Sequence, residues 1–159
     1  TGAKYFGAGL PASAAKAETP ILAETRRWLD IYFAGQCPAV LPPLHPSGSP
    51  FRRAVWDILL TIPYGETTTY GAIARQLAVQ RGLAHLSAQA VGGAVGHNPI
   101  SILIPCHRVI GADGSMTGYA GGLENKKKLL ELERRVTAAK AQMQVKSSDA
   151  PTQCKEKES

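Results

Sequence analysis

The chain has no apolar run approaching the roughly eighteen residues that a membrane-spanning helix requires, so no membrane partner is expected. Its three cysteines, Cys37, Cys106 and Cys154, are odd in number and widely spaced, and none belongs to a Cys-x-x-Cys pair. No secretory signal is recognisable, which argues against a disulfide framework and for a reducing, cytoplasmic location. Only four histidines are present, none with a second ligand at metal spacing. His45, set among prolines, reads as a solvated loop residue. Neither a metal nor another cofactor is expected.

What the chain does have is enough length, 159 residues, for one well-filled core or two small lobes. It also carries a surplus of positive charge. A formal charge of +6 and a pI near 9.4 suit a polyanionic partner, although such a balance often marks only a solvated surface. Its placement is more informative, since four of the six surplus charges fall between residues 51 and 136.

Thr1 to Ala17 is rich in glycine and alanine, with Lys4-Tyr5-Phe6 as the one hint of a strand end. Thr19-Pro20 joins a capping hydroxyl to a proline at the first helical position. Ile21, Leu22, Thr25, Trp28, Leu29 and Tyr32 then predict a core-facing helix closed by Gly35. Pro38, Pro42, Pro43 and Pro46 make residues 36–48 a linker. Ser49-Pro50 repeats the cap, and Phe51, Ala54, Val55, Ile58, Leu59 and Ile62 form the next apolar stripe, ended by Pro63-Tyr64-Gly65.

Thr67, Thr68 and Thr69 offer caps to a helix carrying Ile73, Ala74 and Leu77. A turn containing Gly82 leads to a second helix from Ser87, which is the helix-turn-helix pattern. That second helix is nearly all Ala, Gly, Val and Ser. A glycine inside a helix costs about 1 kcal/mol relative to alanine, so Gly92 and Gly93 suggest close approach of another backbone, protein or DNA. A last helix is predicted over Leu123–Val136, with Lys126, Lys127 and Lys128 crowding its start against the helix dipole. Those lysines mark either a phosphate-facing surface or a solvated face. Residues 137–159 lack apolar periodicity and read as a disordered tail.

The chemistry concentrates in Ile104-Pro105-Cys106-His107-Arg108-Val109. Ser101 to Ile104 reads as a short buried strand that Pro105 stops, presenting Cys106 at its end. A free thiol is only a few per cent ionised at neutral pH, and His107 and Arg108 could each lower its pKa. Neighbouring side chains of an extended segment diverge, so Cys106 and His107 cooperate only if the chain turns here or a water bridges them. On these six residues alone, an inert buried cysteine beside a surface His-Arg pair fits equally well.

Residues 87–99, Ser87-Ala88-Gln89-Ala90-Val91-Gly92-Gly93-Ala94-Val95-Gly96-His97-Asn98-Pro99, precede this run, and Gly118-Tyr119-Ala120-Gly121-Gly122-Leu123 follow it. Together they resemble the O6-alkylguanine-DNA alkyltransferases, which move an alkyl group from a damaged base to their own cysteine. The resemblance runs from about Ser49 to Glu133. It implies an α/β (α+β) fold with a mostly helical catalytic domain over 49–136, a short strand carrying the cysteine, and a truncated N-terminal lobe and linker over 1–48. It further implies a monomer acting on double-stranded DNA with an alkylated guanine, entered from the minor groove, and leaves open whether O4-alkylthymine is also accepted.

Residue roles also follow from the resemblance. Cys106 is the nucleophile, His107 the base acting through a water, and Glu133 the group that orients the imidazole. Asn98 holds the turn before the active-site segment. Tyr70 crowds the target phosphate and offers a proton near the guanine. Gln89, Ala90 and Gly92 lie on the recognition helix, Arg108 and the Val109 backbone lie at the substrate, and Tyr119, Ala120 and Gly121 form the loop over the base. Two positions depart from the pattern: Gln89 stands where well-studied members have an arginine that fills the flipped base's gap, and Ala120 where some have serine. A related class binds damaged DNA but lacks the cysteine. A Cys-His hydrolase or a sequence-specific helix-turn-helix regulator would be the readings from other classes.

Overall fold

A computed structural model describes residues 17–148, with side-chain surroundings described to residue 142. The suggested strand end at Lys4–Phe6 and the cysteine at 154 lie outside the described residues.

Four helices begin where a short hydroxyl side chain can accept from an otherwise unpaired N–H. Thr19 caps α1 (Pro20–Phe33), Ser49 caps α2 (Pro50–Leu60), Thr69 caps α3 (Tyr70–Gln80) and Ser87 caps α4 (Ala88–Gly96). Thr68–Thr69, β1, pairs in parallel with Val109–Ile110, β2, in register Thr68 to Val109. A 3-10 turn over Cys106–Arg108 precedes β2, and α5 spans Leu123–Ser148.

The core lies between α2, α3 and α4. Val55, Ile58 and Leu59 meet Ile73 and Leu77 of α3 and Val91 and Val95 of α4 in one cluster, which also takes in Ile104, Cys106 and Val109. Trp56, which stands outside the apolar stripe expected for α2, is 1% exposed and donates from Nε1 to the Ala94 carbonyl at 2.9 Å. It locks α4 onto α2 by shape and by hydrogen bond. The α3–α4 pair is the expected helix-turn-helix, and the mostly helical α+β class holds.

Three expectations are corrected. First, α1 is not a core-facing helix along its length. Only Tyr32 is buried, while Ile21 and Leu22 are exposed; Tyr32, in the last turn, reaches Glu133 of α5. A 3.6-residue period shows that apolar residues share a face but not that anything covers the face.

Second, residues 101–104 do not form a strand. Ile102 has φ of 75°, and the segment closes on itself with Ile104 N donating to the Ile100 carbonyl at 3.0 Å and a bridge between Ser101 and Ile104. The strand comes after the cysteine, in β2. Third, α5 does not stop at Val136 but continues to Ser148, so the tail expected to lose its structure from residue 137 is helical over its first part. Alanine, lysine and glutamine are good helix formers, and apolar periodicity was the wrong criterion for a segment with little to bury.

Gly65, in the loop between α2 and β1, ties this frame together. Its φ is +84°, and a Cβ there would sit 2.5 Å from Thr137 Cγ2 on α5. Gly65→Ala is expected to cost about 2 kcal/mol, from left-handed strain and the clash together. Chemical denaturation, with an unchanged slope and a lower midpoint, is the measurement that checks it.

Candidate active site

The turn at Cys106–Arg108 solves the problem of neighbouring side chains. Arg108 N donates to the Pro105 carbonyl at 3.0 Å, and the tightened backbone lets Cys106, His107 and Arg108 all point inward; all three are buried. Asn98 is the hinge beneath them. Its Nδ2 donates to the Ile104 carbonyl at 2.8 Å and to Cys106 Sγ at 3.1 Å, while Oδ1 accepts from Ile100 N at 3.0 Å. One amide thus fixes the link from α4 to the cysteine and contacts the sulfur itself.

Glu133 gathers the other groups. Oε1 accepts from His107 Nε2 at 2.7 Å, from the Tyr32 hydroxyl at 2.7 Å and from Arg108 Nη2 at 2.9 Å. Oε2 accepts from Arg108 Nε at 2.9 Å and from Gly65 N at 2.9 Å. Arg108 also donates from Nη1 to the Ile62 carbonyl at 2.7 Å and lies over the Tyr64 ring. Because a carboxylate only accepts, His107 carries its proton on Nε2. Its Nδ1 is then a bare lone pair, and that atom is buried with no protein partner among the described residues.

The electrostatics match this division. Burial pushes the Cys106 thiol up, against the pull of the Asn98 hydrogen bond and the Lys126 charge, so the resting sulfur is neutral. Burial also holds His107 below the usual imidazole value, opposed by Glu133. Burial alone would raise Glu133, but hydrogen bonds from His107, Arg108 and Tyr32 outweigh it and hold the carboxyl down at about 2. At neutral pH the site therefore contains a neutral thiol, a neutral imidazole and an ionised carboxylate.

The other expected residues fall in two groups. Tyr70 starts α3, with its hydroxyl donating to the Thr117 carbonyl at 2.9 Å. Tyr119 packs on the core cluster and Gly121 is half-buried, with Ala120 exposed between them. Gln89 and Ala90 lie exposed on α4, with Gly92 half-buried against the Tyr70 ring. A Cβ at Gly93 would meet nothing within 4 Å, so protein packing is not what excludes a side chain there. Arg108 is placed differently from the substrate contact expected of it, since its guanidinium is committed to Glu133 and Ile62.

Two residues were missed. Lys126 is fully buried, with Nζ donating to the Val109 carbonyl at 2.6 Å and the Thr117 carbonyl at 2.9 Å. It parts company with exposed Lys127 and Lys128, and nothing in the triplet itself distinguishes it. Tyr32, read as plain core, reaches Glu133 from α1. Its one signal is that a buried tyrosine needs a partner for its hydroxyl.

A buried Cys-His-Glu array thus stands next to a helix-turn-helix. Residues 50–135 match the family described as 6-O-methylguanine DNA methyltransferase, DNA binding domain, and the chain belongs to that family. It is 54% identical over 111 residues to a methylated-DNA--protein-cysteine methyltransferase of Mycolicibacterium paratuberculosis, covering 70% of this chain and 64% of the relative. It is 48% identical over 110 residues to one of Methanosarcina acetivorans, covering 69% and 67%. The fold is similar to a crystal structure of Mycobacterium tuberculosis OGT in complex with DNA, with a TM-score of 0.66, 48% identity, and coverage of 72% of this chain and 68% of that one. The chain spans a little under two thirds of the first of these relatives. No helix among the described residues is long and apolar enough to cross a membrane.

The ionisation of Glu133 carries a pH signature. Its folded value lies below the ordinary glutamate value of 4.5, so its contribution to stability is complete above about pH 4.5 and is lost as pH falls through about 2. A shift of that size corresponds to on the order of 3 kcal/mol. In Glu133→Gln, the loss of unfolding free energy between neutral and strongly acid solution should shrink by roughly that amount, as read by denaturant titrations at each pH.

Proposed function

We propose that this protein repairs DNA by moving an alkyl group from O6-alkylguanine to Cys106, once per molecule. The observation that carries the reading is His107, held by Glu133 with Nδ1 bare, next in sequence to a neutral thiol that Asn98 contacts. The reaction needs both a base for the thiol and a site for the extruded nucleotide, because the reacting atom is inaccessible in a stacked duplex.

In the proposed reaction, the Sγ–H proton passes through a bridging water to His107 Nδ1, and the thiolate attacks the alkyl carbon in line. The S–C bond forms as the C–O6 bond breaks. The electron pair leaves on the guanine, which takes a proton supplied by the Tyr70 hydroxyl or by water and departs as an ordinary base. Glu133 stabilises the imidazolium while it exists. The product is a thioether with no leaving group that water could displace, so the protein is spent.

The remaining roles follow the same reading. The open face of α4, with Gln89, Ala90 and Gly93 exposed, faces the minor groove of double-stranded DNA, and the loop of Tyr119, Ala120 and Gly121 closes over the base. The Val109 carbonyl has a second lone pair for the guanine amino group beside the one Lys126 uses. The protein acts as a monomer on alkylated duplex DNA and needs no cofactor.

Intact-protein mass spectrometry after incubation with an O6-methylguanine oligonucleotide should show a single added methyl group, mapped to Cys106, and no further turnover. Cys106→Ala should lose transfer while keeping DNA binding. More than one equivalent released per chain would sink the repair reading.

Gln89 gives an independent test. If it fills the gap left by the flipped base, it offsets part of an unstacking cost of about a few kcal/mol, and arginine should do so better through stacking and charge. Gln89→Arg should tighten binding to duplex DNA and steepen its salt dependence by up to about one counterion. The gain should be smaller on single strands. Equal gains on both would mean that residue 89 faces a phosphate instead.

A further inference from the structure

We infer that Tyr32 is a positioning residue of this site: its hydroxyl, donating to Glu133 Oε1, fixes the oxygen that His107 Nε2 binds and so holds the imidazole with Nδ1 bare. The inference rests on the proposed role of His107 as base. Tyr32 lies on α1, outside the matched residues 50–135, yet it is fully buried. Its oxygen is 2.7 Å from Glu133 Oε1 and 3.3 Å from His107 Nε2. The ring meets His107 edge-on with centroids 6.4 Å apart, stacks on Trp28 at 5.5 Å and meets Tyr64 edge-on at 5.7 Å. It therefore has little room to turn its hydroxyl elsewhere.

The hydroxyl does two things that ring packing alone cannot. It completes the acceptor sites of Oε1, so the carboxylate cannot swing to offer His107 its other oxygen or drop it. It also spreads the charge of Glu133 over one more donor, so less of that charge stabilises an imidazolium. The other charged groups facing His107 are Arg108, from its own turn, and Lys126, from α5, and both disfavour a second positive charge. Tyr32 acts in the same direction as these cations while carrying no charge. Its own ionisation is pushed far up by burial and by Glu133, so it remains a donor at every working pH.

Tyr32→Phe keeps the ring and removes only the donor. Two readouts separate positioning from packing: single-turnover methyl transfer from an O6-methylguanine duplex across pH, and titration of His107 by NMR of imidazole-labelled protein. With the hydroxyl gone, transfer at neutral pH should slow on the order of tenfold, with duplex affinity retained. The His107 titration and the acid limb of the rate should both move to higher pH. An unmoved titration overturns the inference, whether or not the rate falls. So does a Tyr32→Leu variant that slows transfer when Tyr32→Phe does not, because packing alone would then be the role. If the parent protein took up no methyl group, the repair reading would fall, while the His107 titration would still decide the part played by Tyr32.

Discussion

A single buried carboxylate holds this structure in the form its chemistry needs. Glu133 is fully buried and accepts from α1 through Tyr32, from the α2–β1 loop through Gly65 N, and from the 3-10 turn through His107 and Arg108. Taking a charge out of water costs several kcal/mol unless every lone pair finds a donor. Here both oxygens find them, and Arg108 supplies a guanidinium in side-on geometry. The arrangement is specific where an apolar cluster would not be. Only one relative placement of four separate segments satisfies this carboxylate, and that placement also leaves His107 Nδ1 bare.

The state of Cys106 follows from the same constraint. A thiol made permanently anionic would need a cation in direct contact, and the one strong cation of the turn, Arg108, is taken by Glu133. Cys106 is instead 6% exposed and held by an amide donor, so burial dominates and the sulfur stays protonated. Lys126 contributes its charge from a distance while its ammonium group is occupied by the Val109 and Thr117 carbonyls. The turn thus carries a neutral sulfur and a neutral imidazole whose Nε2 is held by Glu133. Cys37, by contrast, is exposed.

What could be read from the sequence divides along the range of the forces involved. The starts of α1, α2, α3 and α4 were legible because a cap is decided within three residues, by a hydroxyl and an N–H. The helix-turn-helix was legible for the same reason. The cysteine run and the Asn98 and Glu133 partners were legible through resemblance, not through spacing. Some of the failures are contacts made far along the chain. Tyr32 and Glu133 stand 101 residues apart, and no local pattern announces that a tyrosine on an otherwise exposed helix carries a polar contact. Lys126 looked like its two neighbours because burial is a property of what covers a position. Ile102 has β-branched character, which favours extended backbone, but the hinge at Asn98 and the turn closing on Ile100 set its conformation first.

The open helix α4 and the buried cysteine are joined by packing, which makes the two ends of the site one mechanical unit. The Tyr70 ring lies against Gly92, where an added Cβ would be 3.7 Å away, and its hydroxyl bonds the Thr117 carbonyl. That carbonyl in turn accepts from Lys126, which also bonds the carbonyl of Val109 in β2. Asn98 closes the circuit from the end of α4 to the sulfur. A Cβ at Gly92 would make only ordinary contact with the tyrosine ring, and one at Gly93 would meet nothing within 4 Å, so packing within the protein requires neither glycine. Each of the two adjacent glycines is a cost to α4 by helix propensity. The Trp56 bond to the Ala94 carbonyl, next to these glycines, holds the helix onto α2.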